Sequence, residues 1–495
     1  MSTETFDIWV KRLLIASIGL GVIASFVNFF NFRSLWLDEV LLSVSIVNRD
    51  YVGLLQPLEF DQVAPIGFLF IENLFSSLFG NADWSLRIYP FLCFLGSIPL
   101  IYRLNKQLFK STLVALLSAS LFCLNTFLLY YSIEVKQYMS DVFVCLLILV
   151  SALSYFNAKT KRSLLIYISV SFASVWFSNI AVIILFVVGL ISLYKFVITN
   201  RLKSFEVLWP SLIALMSFVI YYGLFIHNHP AKEVMLVYWT ENFGFLYQDV
   251  FSWEFRYFIR TRIEAIIQVL LEIAGYWIVT FAFVGIGVLS NFKRKTALFI
   301  LLSPLCIHLG LSYFKLYPFD RRLVLYAIPL LITLLSYGIY ISWRFLYDKG
   351  LKLPVFILLI PVFINLIAVF NLVPFEKEEI KKGMSYLNSN LKVGDEIYVY
   401  SVSKVSFDFY KDKFDVIQDT DAIFYSNVSR NDWSKHHQEL EQLKDSVWLV
   451  FSHISSNANS KLNEKDYILK TMKSNGYQLI HTQEYEGASV YKMEK

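Results

Sequence analysis

Apolar windows about 18–20 residues long recur along this chain, and each is long enough to cross the hydrocarbon core of a bilayer. Leu13 to Phe30, Leu113 to Tyr130, Ile180 to Val197 and Val324 to Ile341 are the clearest. A chain made of such segments cannot bury them all in one water-soluble core, so a polytopic membrane protein is expected. The residue balance agrees, with 56% hydrophobic and only 17% charged, where soluble proteins carry roughly 25% charge. The net charge of +5 is modest, and membrane topology explains the lysines and arginines better than nucleic acid does. Cys93, Cys123, Cys145 and Cys306 all fall in apolar segments and read as small buried hydrophobes. No small-residue cleavage site follows the first apolar stretch, so it reads as a retained helix.

Basic residues cluster in short loops: Lys11/Arg12, Arg103/Lys106/Lys110, Lys159/Lys161/Arg162, Arg201/Lys203, Lys293/Arg294/Lys295 and Arg344/Lys349/Lys352. Cytoplasmic loops carry such excesses. Placing them all on one side predicts spans at 11–31, 86–102, 111–130, 139–157, 164–178, 179–198, 207–227, 266–290, 296–313, 323–343 and 354–373. That is about eleven crossings, with the N-terminus cytoplasmic and the C-terminus outside. Val63 to Phe79 is short and contains Glu72, so it reads as an interfacial or re-entrant helix on the outer side. From about Glu376 the composition turns to mixed charge, and strands alternate with helices. The fold class expected is an all-α polytopic membrane domain over 1–375, followed by a small extracytoplasmic α/β domain over 376–495. Strands are expected at Glu396 to Val402, Val447 to Phe451, Gln478 to His481 and Ala488 to Lys492. Helices are expected at Lys377 to Leu391, Trp433 to Leu443 and Leu462 to Asn475, the last ending at Gly476. The neighbours His436 and His437 read as surface residues rather than metal ligands.

The same topology gathers polar clusters on the outer face. Trp36-Leu37-Asp38-Glu39 follows the first span. Adjacent carboxylates at a membrane surface suit a general base or a cation site. They equally suit a solvated helix start, where acids favour the positive end of the dipole. Tyr131-Ser132-Ile133-Glu134-Val135-Lys136-Gln137-Tyr138 joins two spans, with Asp141 three residues on. If helical, it sets Glu134, Tyr138 and Asp141 on one face. Asp141, at the membrane entry, requires a partner or an aqueous cavity. The plainer reading is a polar turn. Tyr317-Pro318-Phe319-Asp320-Arg321-Arg322 opens a late span. Paired arginines there suit phosphate recognition or plain interfacial anchoring, and their place on the side opposite the basic loops favours the former.

Taken in this order, the clusters resemble the GT-C membrane glycosyltransferases, specifically glycosyltransferase family 39 and its relatives, the protein O-mannosyltransferases and the lipid A aminoarabinose transferase. That family carries an acidic motif in its first outer loop, matched by Leu35-Trp36-Leu37-Asp38-Glu39. Its Pro-rich helix start, usually His-Pro-Pro-Leu, is here Val63-Ala64-Pro65-Ile66, with one proline and no histidine. Gly80 and Arg87 match a glycine followed by an arginine that opens the next span. Tyr131, Ser132, Glu134 and Tyr138 match a Tyr-Ser-x-Glu-x-Arg-x-Tyr motif, with Lys136 in place of the arginine. Arg322, Tyr326 and Pro329 match the late arginine ahead of a Pro-containing helix.

The resemblance implies an inverting transferase that uses a polyprenyl-phosphate-linked sugar and a glycolipid, polysaccharide or protein acceptor. It implies Asp38 as catalytic base, or as the group that orients the acceptor hydroxyl, with Glu39 in support, and Lys136, Tyr138, Arg321 and Arg322 around the donor phosphate. Glu134, Asp141 and Arg87 complete the polar site. It leaves a divalent cation open, with Asp38 and Glu134 as its ligands, and it implies a bacterial inner membrane. The competing reading is a transporter or flippase of lipid-linked sugars. Internal repeats and broken helices at the midplane would mark one; no repeat is visible, and the charged clusters sit at one face rather than the middle.

Overall fold

The computed structural model describes residues 3–198, 205–271, 277–349, 355–418, 422–430, 433–455 and 463–495. Of the basic clusters, Arg201/Lys203 and Lys352 lie outside the described residues, as does Leu462. In chain order the helices are α1 (Thr3–Phe29), α2 (Leu37–Asn48), α3 (Ile66–Phe79), α4 (Ile88–Phe109), α5 (Thr112–Cys123), α6 (Thr126–Tyr131), α7 (Tyr138–Ala158), α8 (Lys161–Phe177), α9 (Ala181–Ile198), α10 (Trp209–Tyr221), α11 (Lys232–Glu241), α12 (Trp253–Gln268), α13 (Trp277–Ser290), α14 (Lys295–Tyr313), α15 (Ile328–Asp348) and α16 (Val355–Leu372). Then come α17 (Ile380–Asn390), β1 (Glu396–Val399), α18 (Lys404–Lys411), α19 (Asp415–Gln418), β2 (Ile423–Tyr425), α20 (His436–Leu440), β3 (Ser446–Ser452), α21 (Glu464–Ser474), β4 (Gln478–Tyr485) and β5 (Ala488–Glu494).

The chain folds as two units, Met1–Phe30 with Arg49–Pro374, and Asn31–Asn48 with Phe375–Lys495. A single division near residue 375 leaves α2 with the membrane helices. Here α2 belongs with the C-terminal unit, because its buried face, including Val40, Leu42 and Ile46, packs with α18.

The first unit is helical. Among the described residues, seven helical stretches are long and apolar enough to cross a membrane: Ile8–Phe29, Ser85–Phe109, Tyr138–Ala158, Ala181–Ile198, Phe205–Ile226, Lys295–Tyr313 and Arg321–Asp348. Shorter apolar helices cover Ile66–Phe79, Thr112–Cys123, Trp277–Ser290 and Ile357–Leu372. The expected span 111–130 is broken: Asn125 ends it by accepting from the Leu128 amide and starting α6. The expected span 266–290 holds only the end of α12 and then α13. Spans 164–178 and 179–198 do separate at Asn179, as α8 and α9. α3 has 14 residues, about 21 Å of helix, short of a hydrocarbon core of about 30 Å.

Lipid gives apolar helices no hydrophobic reason to associate, so close backbone approach and a few polar bonds must select their partners. Gly287 of α13 faces α15, where an added Cβ would lie 2.1 Å from the Leu334 carbonyl oxygen. At Gly338 of α15 it would lie 1.9 Å from that of Phe283. Asn105 Nδ2 donates to Thr333 Oγ1 at 3.1 Å, tying α4 to α15. The Ser17 and Ser120 hydroxyls meet at 2.6 Å between α1 and α5. α7 and the Arg321–Asp348 stretch are the inner helices, with 83% and 89% of their apolar windows buried. Of the four cysteines, Cys93, Cys123 and Cys145 are buried as expected, whereas Cys306 of α14 is exposed. A thiol there costs nothing against lipid, which is why its apolar context could not tell which way it points.

The second unit holds a five-stranded sheet in the order β2-β1-β3-β5-β4. β1 runs parallel to β2 and β3, while β5 is antiparallel to β3 and β4. Tyr398, Leu449, Phe451, Ile468, Met472 and Tyr491 form its core. The expected strands appear, with β2, α18 and α19 added. β2 spans only three residues, too short to leave a periodic signal. Gly476 follows α21 at φ 94°, as its capping position requires. His436 corrects the surface reading: it is buried, with Nδ1 3.1 Å from the Tyr398 hydroxyl, while His437 is exposed.

Candidate functional site

The candidate residues divide between the units. Asp38 and Glu39 belong to the second; Arg87, Glu134, Lys136, Tyr138, Asp141, Arg321 and Arg322 belong to the first.

In the second unit, Asp38 and Glu39 occupy the first turn of α2, where the exposed amides of a helix start favour negative charge. They are not equivalent. Glu39 is fully buried, and its Oε2 lies 3.2 Å from Nη1 of Arg33, also fully buried. The same oxygen accepts from the Trp36 amide at 3.2 Å, half of a capping box. Asp38 is only half-buried. The pair therefore splits into an anchored acid and one at the surface of its unit. Arg33, three residues before Trp36, carried no signal beyond its charge.

In the first unit, the 131–141 segment is a turn rather than a continuous helix. α6 ends at Tyr131, Ser132–Gln137 is irregular, and α7 starts at Tyr138. Glu134 and Asp141 consequently do not share a helix face. Glu134 and Lys136 are buried within the turn, and Lys136 Nζ donates to Gln62 Oε1 at 2.7 Å. Gln62, which the sequence did not single out, also lines a cavity of about 140 Å³ with Leu54, Ile66, Tyr221, Phe225 and His229. Burial holds the His229 imidazole below its ordinary range, against the opposing charge of Asp61. Asp141 has the partner its depth demands: the Ser178 hydroxyl donates to Oδ1 at 2.5 Å. Ser178 lies in the break between α8 and α9, so the break that separates two spans also serves the buried acid. Arg87 is buried just ahead of α4.

The late motif packs around the start of α7. The Arg322 guanidinium lies over the Tyr138 ring at 5.9 Å and over Trp239 at 5.6 Å. Arg321 is exposed. The segment leading to them is fixed at several points. The Phe319 amide donates to the Gly244 carbonyl at 2.7 Å, and Asp320 pairs with Arg262 at 2.6 Å. His308 Nε2 lies 2.9 Å from the Pro318 carbonyl and Nδ1 lies 3.2 Å from the Tyr326 hydroxyl. Burial pushes the Tyr317 hydroxyl well above its ordinary range, so it stays neutral. His308, a lone histidine inside an apolar span, was the residue the sequence could have flagged. Trp239 carried no signal. Among the described residues, no three His, Cys, Asp or Glu side chains gather in a group that could hold a metal ion.

Residues 63–226 match the family model for dolichyl-phosphate-mannose-protein mannosyltransferase, a segment that contains Arg87, Glu134, Lys136, Tyr138 and Asp141. The whole chain superposes on ArnT from Cupriavidus metallidurans bound to undecaprenyl phosphate, with a TM-score of 0.56 over 99% of this chain and 98% of that one. The fold is that of the GT-C membrane glycosyltransferases. The apo form of the same ArnT aligns at a TM-score of 0.54, over 97% and 98% of the two chains. Sequence identity to both is 10%, so the likeness to ArnT is one of fold. No curated protein sequence matches this chain. The long apolar helices support an integral membrane protein, and over about a third of its length the chain is similar to the mannosyltransferase family model.

Proposed function

We propose that this protein is an inverting glycosyltransferase that moves a sugar from a polyprenyl-phosphate donor to an extracytoplasmic acceptor, a glycolipid, polysaccharide or protein. The observation that carries the reading is the cationic grouping of the first unit: Arg322 against Tyr138, with buried Lys136 just before α7. Cations held at helix ends are suited to a lipid phosphate, and they act most strongly on charge that develops as a bond breaks. The GT-C fold and the family model support the same chemistry.

In this reading the acceptor hydroxyl attacks C1 of the sugar as Asp38 takes its proton. The C1–O bond to phosphate breaks, and the electron pair leaves with the phosphate oxygen. Lys136, Arg321 and Arg322 hold that phosphate as its charge grows. A single displacement inverts the anomeric centre. Glu39 supports Asp38 through the buried Arg33 pair rather than by touching substrate. Glu134, Asp141 and Arg87 shape the polar interior of the first unit. The orientation proposed puts the N-terminus in the cytoplasm, about eleven crossings in a bacterial inner membrane, and the second unit outside.

The test is sugar transfer by the purified protein from radiolabelled polyprenyl-phosphate sugars, wild type beside Asp38→Asn and Lys136→Met. Both variants are expected to fold and to lose turnover. Full turnover by Asp38→Asn would remove it as base. A wild type that transfers no sugar but moves the lipid between leaflets of liposomes would establish the transporter reading instead.

A further inference from the structure

The segment that carries Asp38 is built largely of bonds to residues more than three hundred positions away, all within the second unit. The amides of residues 34–37 precede or open α2 and so lack intrahelical partners. Each is met by a side chain. Ser34 donates to Glu379 Oε2 through its amide and its hydroxyl, both at 3.4 Å. The Leu35 amide donates to the Tyr410 hydroxyl at 2.7 Å. The Trp36 amide uses Glu39, and the Leu37 amide donates to Glu378 Oε2 at 3.0 Å. Lys381 returns two bonds, from its amide to Ser34 Oγ at 3.2 Å and from Nζ to the Phe32 carbonyl at 2.9 Å. The Trp36 ring has Lys377 Nζ 3.0 Å from its centroid and is stacked with His453 at 6.3 Å. His453 Nδ1 in turn meets Glu378 Oε1 at 2.5 Å.

The gripping residues are themselves fixed. The Glu379 amide donates to the Glu486 carbonyl at 2.9 Å in the β4–β5 turn. Next to it Gly487, at φ 64°, comes so near that a Cβ would lie 2.0 Å from the Lys377 carbonyl oxygen. Sheet, turn, Glu378–Glu379 and the α2 start are thus linked without a break. A loop that only had to be tethered needs one such contact. Here every consecutive amide from Ser34 to the residue before Asp38 is held, and that backbone sets where the Asp38 Cα–Cβ bond starts.

We propose that the C-terminal unit is a positioning device for the transfer reaction: Tyr410, Glu378 and Glu379 clamp residues 34–37 and so aim the Asp38 carboxylate. This rests on the reading of Asp38 as the base. Tyr410, Glu378 and Glu379 are positioning residues, with no contact to substrate required of them.

The test compares three variants of the full chain in detergent. Tyr410→Phe removes only the hydroxyl that holds Leu35. Tyr477→Phe removes a hydroxyl bonded to the Leu443 and Lys444 carbonyls elsewhere in the same unit and serves as the control. Asp38→Asn reports on the base. Amide exchange is read at Leu35, and transfer is read as kcat and KM for the lipid donor. The expected result for Tyr410→Phe is about tenfold faster exchange at Leu35 and a kcat lowered about tenfold at constant KM, where the single lost bond sets the scale. Tyr477→Phe keeps both. Faster exchange with kcat retained would overturn the clamp while an inactive Asp38→Asn left the base in place. Unchanged exchange would overturn it too, by showing that Tyr410 does not hold the loop. An active Asp38→Asn would instead remove the base itself.

Discussion

Replacing Arg33 by Met tests how the acidic motif is held. Arg33 and Glu39 are both fully buried, with Nη1 and Oε2 3.2 Å apart. A buried ion pair adds little net stability compared with an apolar pair, but removing one member leaves a charge in a low-dielectric site and costs about 3–5 kcal/mol. Arg33→Met is therefore expected to destabilise α2 by about that amount. Every 1.4 kcal/mol is about a factor of ten, so amide exchange across Val40 to Ser45 should accelerate roughly two to nearly four orders of magnitude. Combining Arg33→Met with Glu39→Gln should recover most of the loss. A neutral amide still accepts from the Trp36 N–H and no longer needs the guanidinium. Exchange mass spectrometry on the four members of the cycle measures the coupling. An Arg33→Met protein that exchanges within threefold of wild type would refute the reasoning, and so would a double variant no better than Arg33→Met alone.

Other consequences are as direct. Gly338→Ala should lower the melting temperature in detergent, by an overpacking cost of about 1–3 kcal/mol or more, because its Cβ would fall 1.9 Å from the Phe283 carbonyl oxygen. Gly285→Ala, with open space around its Cβ, should leave the melt unchanged or slightly raised. Ser178→Ala takes the hydroxyl from buried Asp141 and should cost about 1–3 kcal/mol in the same assay; Ser178→Thr should retain more of it. Burial holds the His436 imidazole below its ordinary value, against the pull of Glu439 and Glu464. The unfolded chain therefore takes up that proton first, so stability is complete above the ordinary value near 6.5 and falls as pH drops below it. Melts of the second unit between pH 8 and pH 5 (about the range in which imidazole titrates) should slope less in His436→Gln.

The parts of this molecule that the sequence revealed are those governed by a repeating physical requirement. Bilayer thickness imposes long apolar runs, and α1, α4, α7, α9, α14 and α15 were visible for that reason. Period-two alternation exposed β1, and a short apolar run exposed β3. What stayed hidden depends on single contacts. Asn125 breaks an apolar run with one cap, and hydropathy averages over it. Gln62 reaches Lys136 from a loop with no pattern of its own. Asp38 and Glu39 were recognisable as a pair, but only coordinates separate the buried partner of Arg33 from its half-exposed neighbour.

The grouping of residues 31–48 with the C-terminal unit follows from two kinds of solvent. Leu35, Val40, Leu42 and Ile46 are apolar enough to sit among membrane helices, and all are buried. The segment also carries Arg33, Asp38 and Glu39, with amides at 34–37 that lack intrahelical partners. Hydrocarbon offers such groups nothing to bond to, while water would leave the apolar face exposed. A sheet-and-helix unit supplies both needs together. α18 covers the apolar face of α2, and Tyr410, Glu378 and Glu379 take the amides. An acidic motif that must stay ordered next to a membrane-spanning chain therefore calls for a partner of this chemistry. That requirement gives a physical reason for the C-terminal unit that its own sequence, with no phosphate loop or metal spacing, does not express.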